Sequence, residues 1–154
     1  MQLQRVNRTD AEKVYIVIKN VSGATITTGL GARFVGGAAG EIVSTDGIQA
    51  VTSADATMVQ FAGIAVEDIA DNGYGRVQAW GIVNSVLLSA EADKTVGVTG
   101  IDNSFLKAGA AAGSFTSTQT AQALSTMGYK YVQCLTTANI SGGLNYCKAF
   151  VRAL

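Results

Sequence analysis

The sequence predicts a mainly β protein, a small β-barrel with one short helix near 119–127. Three observations carry this. β-Branched and aromatic residues cluster in runs such as Val14-Tyr15-Ile16-Val17-Ile18, and such side chains fit a pleated, half-buried surface. The stretches 75–88 and 145–153 divide their residues between two faces with the period of a strand. Turns fall to glycine, because the chain has 18 glycines and no proline.

The elements follow in order. Residues 1–12 are polar and read as an N-terminal arm, ahead of a single β-rich domain over 13–154. Thr9-Asp10-Ala11-Glu12 has the spacing of a capping box, but the β-branched run that follows at once makes Lys13 to Asn20 a strand. Val21-Ser22-Gly23-Ala24 turns the chain. Thr25 to Phe34 holds a short strand, and Gly36 to Gly40 is a loop. Glu41-Ile42-Val43 and Gln49-Ala50-Val51 flank Asp46-Gly47, a hairpin signal. Met58 to Val66 is an apolar strand, and Ile69 to Gly73 is a turn. Gly75 to Leu88 is the longest strand, with a bend expected at Asn84-Ser85.

The composition shifts near residue 90, a possible boundary between two lobes. Beyond it, Lys94–Thr99 and Ser104–Lys107 suggest short strands, and 107–114 is a run of small residues. Thr116-Ser117-Thr118-Gln119 fits a capping box, and Gly128 fits the residue just past a helix end. The helix between them turns Ala123, Leu124 and Met127 toward the core. Gly128–Thr136 and Asn145–Ala153 are the closing strands, joined by a turn at 139–143.

Composition excludes several functions. Eleven basic and eleven acidic residues balance, where a nucleic-acid binder carries a basic excess or stripe. No stretch approaches the ~18 apolar residues of a membrane-spanning helix. The opening residues lack the apolar core of a signal peptide, so a soluble protein made in the cytoplasm is expected. On that reading the Asn-x-Ser/Thr triplets at Asn7, Asn20 and Asn139 are chance matches.

The absence of histidine removes the commonest general base and transition-metal ligand. Gly29-Leu30-Gly31 lacks the third glycine of a dinucleotide loop, and no Gly-Lys-Ser/Thr triplet marks a phosphate loop. Glu67 and Asp68 are adjacent, so in a strand they would point apart, the wrong geometry for a catalytic carboxylate pair. The residues predict no enzyme, no metal and no cofactor. Cys134 and Cys147 fall on flanking strands. A hairpin centred between Ile140 and Ser141 sets them opposite one another, and one centred near Gly142-Gly143 shifts them out of register. Reduced, buried thiols are the expectation, with a late disulfide as the other outcome.

What remains points to assembly. Charged residues make up only 14% of the chain and hydrophobic ones 48%, against a usual charged share of about 25%. Surface buried between subunits accounts for such a composition. On the longest strand, Val77, Ala79, Gly81 and Val83 share one face. Arg76, Gln78, Trp80, Ile82, Asn84 and Val86 share the other, so the single tryptophan lies among polar groups. The last strand repeats this: Cys147, Ala149 and Val151 on one face, Tyr146, Lys148, Phe150 and Arg152 on the other. Aromatic residues on a polar strand face are candidates for a partner interface. The candidates are Tyr74, Arg76, Trp80, Tyr146 and Phe150, with Arg5 and Arg8 on the arm.

The layout from Lys19 to Leu88, about half the chain, resembles the β-tulip decoration (cement) proteins of tailed-phage heads. The residues that carry the resemblance are Asn20-Val21-Ser22-Gly23-Ala24 and the Gly-rich loop before Glu41-Ile42-Val43. They continue with Phe61-Ala62-Gly63-Ile64-Ala65-Val66-Glu67 and Gly73-Tyr74-Gly75-Arg76-Val77-Gln78-Ala79-Trp80-Gly81. The closing half departs from the shortest members of that family. The resemblance implies a β-tulip-like structural protein, assembled in the host cytoplasm onto the virion. It would bind the exterior of an expanded icosahedral capsid as a homotrimer and stabilise it, with its arm along the major capsid protein. A host- or glycan-binding module displayed on a virion is the alternative. A hydrolase built on Asp and Glu has scarcely any support in the sequence.

Overall fold

The computed structural model describes residues 12–35, 49–52, 60–89, 95–96, 105–108, 113–117, 132–139 and 145–153. Among them the protein is mainly β, with no helix. The strands are β1 (Val14–Asn20), β2 (Gly31–Phe34), β3 (Gln49–Thr52), β4 (Phe61–Ala65), β5 (Tyr74–Leu88), β6 (Thr95–Val96), β7 (Phe105–Ala108), β8 (Phe115–Ser117), β9 (Val132–Cys134), β10 (Ala138–Asn139) and β11 (Asn145–Arg152). The arm residues 1–11, the helix expected near 119–127 and the expected strand Glu41–Val43 lie outside the described residues.

The long strand β5 organises the molecule. The main sheet runs β1-β3-β2-β4-β5-β11-β9-β7-β8, and two further pairings, β1–β5 and β5–β8, return to β5 from either end. The pairing therefore closes twice around one shared strand. The first ring is β1, β3, β2, β4 and the opening half of β5. The second is the closing half of β5 with β11, β9, β7 and β8. β6 and β10 form a separate two-stranded sheet.

Each ring has its own apolar core. Ile18, Ile26, Leu30, Ala32, Ala62, Ala65, Ile69 and Val77 form the first. The second joins Phe61 and Ile64 to Val83, Val86, Leu88, Leu106, Phe115, Val132, Cys134, Cys147, Ala149 and Val151. β4 is buried along its whole length and contributes to both cores. A bulge permits this: Ala32 pairs with Gly63 and Arg33 with Phe61, leaving Ala62 as an extra residue. In the second core Phe61 meets Phe115 edge-on, with ring centroids 6.1 Å apart. Such a pair contributes about 0.5–1.5 kcal/mol beyond the area it buries.

β5 carries two irregularities of its own. Val14 pairs with Trp80 and Tyr15 with Gln78, so Ala79 is an extra residue opposite that step. On its other edge, Val83 pairs with Ala149 and Val86 with Cys147, so Asn84 and Ser85 together face Lys148. The expected bend at Asn84-Ser85 is this bulge. It also corrects the face assignment of Val86. An extra residue inverts the alternation, so Val86 turns inward and is fully buried. Of the two registers left open for the thiols, the structure has the shifted one: Cys134 pairs with Ala149, so Cys147 lies one diagonal step away. Phe115–Ser117 pairs with β7, so Thr116 and Ser117 belong to a strand and not to a helix cap. Of the expected strand 25–34, only Gly31–Phe34 is one, and Ile26 makes an isolated bridge to Ile69.

Candidate functional site

The outer face of β1 and β5 holds Tyr15, Val17, Tyr74 and Trp80, four of the six large hydrophobic side chains exposed among the described residues. The register sets Lys19 opposite Tyr74, Val17 opposite Arg76 and Tyr15 opposite Gln78. Alternation buries Ile18 and Val77 below and leaves Tyr15, Val17 and Tyr74 above, with Tyr74 71% exposed. Cations lie over the rings. The Lys19 ammonium is 6.0 Å from the centre of Tyr74, and the Arg76 guanidinium is 5.9 Å from that of Tyr15. Both distances are within reach of the attraction between a cation and a ring face.

Arg76 is fixed by Glu67. Its backbone N–H donates to Glu67 Oε1 at 2.8 Å, Nε to the same oxygen at 3.2 Å, and Nη2 to Oε2 at 3.3 Å. These bonds hold the Glu67 carboxyl below its ordinary value and raise the Arg76 guanidinium. Next to it, Asp68 accepts from the Thr28 N–H and hydroxyl at 2.7 and 2.9 Å, which lowers its pKa as well. The two acids are thus structural anchors of the turn. Asn20, at the end of β1, ties this turn to the one that follows β1: its side-chain amide donates to the Ala24 and Ile69 carbonyls, and it is fully buried. Its Asn-x-Ser triplet therefore shapes a turn and offers no accessible amide.

Further along the face, Trp80 and Phe150 meet edge-on, with centroids 5.3 Å apart. Trp80 is 37% exposed and pairs across the strands with Arg152, whose guanidinium sits 5.9 Å from the Phe105 ring. Gln78 shares this outer face yet is buried, and its Nε2 is satisfied by donating to the Trp80 carbonyl at 3.0 Å. The chain enters the sheet beside Trp80: Gly81 has φ +100°, and a Cβ there would run into the Glu12 carbonyl oxygen. Only glycine lets β1 start that close to β5.

The fold brings Tyr74 and Arg76 together with Lys19 and Tyr15, and Trp80 together with Phe150. It does not bring Tyr146 to them. Tyr146 is exposed, pairs with Leu87 and is separated from Arg152 by roughly 20 Å of strand. Arg5 and Arg8 lie outside the described residues. Sequence reasoning missed Tyr15 and Val17. An all-apolar run reads as buried on both faces, and the one available signal was Lys19, which shares their side.

A groove of about 260 Å³ adjoins this face, lined by Lys13, Tyr15, Thr28, Val66, Gln78, Ile82 and Asn84 among others. Among the described residues no three His, Cys, Asp or Glu side chains group so as to hold a metal ion, and no helix is long and apolar enough to cross a membrane. Comparison with known protein families and with curated proteins gives no match for this chain.

Proposed function

We propose that the chain is a structural virion protein. It binds the exterior of an expanded icosahedral phage capsid as a homotrimer, through the major capsid protein, and stabilises the shell. The observation that carries this reading is the outer face of β1 and β5, where Tyr15, Val17, Tyr74 and Trp80 are exposed on a rigid, ring-closed sheet. Aromatic side chains on rigid elements are the residues that anchor protein interfaces. The low share of charged residues supports burial of this surface in an assembly. The resemblance of Lys19 to Leu88 to tailed-phage decoration proteins supplies the partner. Residues 1–12, with Arg5 and Arg8, extend the contact along the capsid protein. The deciding experiment mixes the purified protein with expanded and unexpanded capsids and images them. Added density on three-fold positions of expanded shells alone supports the reading, and bare shells at saturating protein overturn it.

The groove favours one other reading, a glycan-binding module displayed on the virion. Tyr15 offers a ring for a sugar to stack on, and Lys13, Thr28, Gln78 and Asn84 offer polar groups around it. Binding of glycans by the free protein, with no capsid present, separates this reading from the first.

A further inference from the structure

The second core contains both of the chain's thiols. Cys134 on β9 and Cys147 on β11 are both 2% exposed. Each points to the inner face of its strand, and the register places them as diagonal neighbours on adjacent antiparallel strands. The two thiols lie near enough that each shifts the ionisation of the other, and the Cys134 thiol donates to the Thr136 carbonyl at 2.8 Å. Neither sulfur has any role in the outer face or the groove.

We propose that Cys134 and Cys147 form an oxidisable dithiol that a peroxide converts to an intramolecular disulfide, tying β9 to β11 within the folded protein. The two side chains belong to one core on neighbouring strands, and a disulfide at ~2.05 Å forms once β9 shifts toward Cys147, because diagonal neighbours start near the upper limit of a disulfide's span. β9 is three residues long, and residues 135–137 beside it are exposed, so a small movement of this end of the sheet is sufficient. Hydrogen peroxide is close to water in size and reaches a sulfur that a bulkier oxidant does not.

The two thiols take different parts. The neighbouring Cys147 thiol lowers the Cys134 thiol to about 7, against the opposing effect of burial. Proximity to Cys134 and burial push Cys147 up, so it keeps its proton. Cys134 therefore reacts first, as the thiolate. It attacks one peroxide oxygen, the O–O bond breaks, hydroxide leaves, and Cys134 becomes a sulfenic acid. The Cys147 sulfur then attacks the Cys134 sulfur and gives up its proton, and the hydroxyl of the sulfenic acid leaves as water. The balance is two thiols and one hydrogen peroxide in, one disulfide and two waters out.

The test uses the full chain, reduced and then treated with a few equivalents of hydrogen peroxide. The intact mass should fall by two hydrogens, both thiols should disappear from a denaturing titration, and a non-reduced peptide map should link Cys134 to Cys147. Closing this loop should raise the melting temperature by roughly 5–10 °C, and reductant should reverse the rise. Under the same dose Cys147→Ser should gain one oxygen at Cys134, trapped by a sulfenic-acid reagent, while Cys134→Ser stays unmodified. Should either variant fail to fold, the wild-type peptide map decides alone. Oxygen added to the wild type without loss of the hydrogens, a disulfide between two chains, or thiols that stay free until the protein is denatured each overturn the proposal. Because no capsid enters the assay, its outcome is independent of the proposed virion role.

Discussion

Trp80 and Phe150 pack edge-on across neighbouring strands, with ring centroids 5.3 Å apart and planes at 79°. They do so on the outer face, above Ala79, Ala149 and Val151, which are fully buried. The pair caps the place where the two rings share β5, where β1 ends its pairing and β11 begins its own. It is a cluster held in place by backbone on both sides, yet still open to solvent.

Truncating it should separate folding from assembly. Trp80→Ala removes one edge-to-face pair, about 0.5–1.5 kcal/mol, together with a partly buried ring. The melting temperature of the free protein should drop by only a few degrees. If the ring anchors a partner, capsid affinity should fall by ~2 kcal/mol or more, over tenfold. A collapse of the melting temperature with unchanged decoration would place Trp80 among the core residues and defeat the interface reading.

Gly81→Ala should be costly although it adds a single methyl group. The position has φ +100°, and its new Cβ would meet the Glu12 carbonyl. Left-handed strain alone costs about 1 kcal/mol or more for an L side chain, and the clash forces β1 away from β5. We expect a loss of at least ~2 kcal/mol, read as a lower urea midpoint with unchanged slope. A variant within ~0.5 kcal/mol of wild type would show that Glu12 and Lys13 move aside freely.

Phe115→Ala tests whether the second ring is a true core. Phe115 is fully buried, packs edge-on against Phe61, and belongs to the strand that closes the ring at Leu88. Removing such a ring leaves a cavity and costs about 3–5 kcal/mol. Chemical denaturation should show it. A loss under ~1 kcal/mol would mean that the second core collapses without strain.

The mainly β class and the long strand were legible because alternation and glycine turns are local signals. The faces of β5 could be read up to Val83, with Val77, Ala79 and Val83 buried as counted. Beyond it the count fails at Asn84-Ser85, since a period of two carries no information about an inserted residue. The polar doublet marks the bulge but not the change of parity that buries Val86. Gln78 misleads for another reason: it is a polar residue buried with its amide satisfied by the Trp80 carbonyl, an acceptor no pattern of side chains reveals. Thr116 and Ser117 suit a helix cap and a strand equally, and only pairing with β7 decides. The outer cluster was half visible. Trp80 and Phe150 stood out as aromatics among polar residues, while Tyr15 and Val17 were hidden in an apolar run.

Acid should weaken the turn between β4 and β5, and in one direction only. Bonds from Arg76 hold Glu67 below its ordinary 4.5, and bonds from Thr28 hold Asp68 below its ordinary 3.8. A carboxyl with a lower pKa folded than unfolded binds its proton less readily in the folded state. The stability it adds is complete above the unfolded value and is lost as the pH falls through the folded one. Melting temperature should therefore be insensitive to these groups from pH 7 to about 5, and should decline from about pH 4 downward. Both side chains are exposed at the surface, so each contributes modestly and salt should weaken the Glu67–Arg76 part. Glu67→Gln should flatten the acid slope and make what remains less dependent on salt, while Asp68→Asn should remove the other share. The double variant E67Q/D68N should start slightly lower at pH 7 and change least between pH 5 and 3. A wild-type melting temperature that rises over that interval, or an acid slope that the double variant leaves intact, would show that these two carboxylates do not hold the turn.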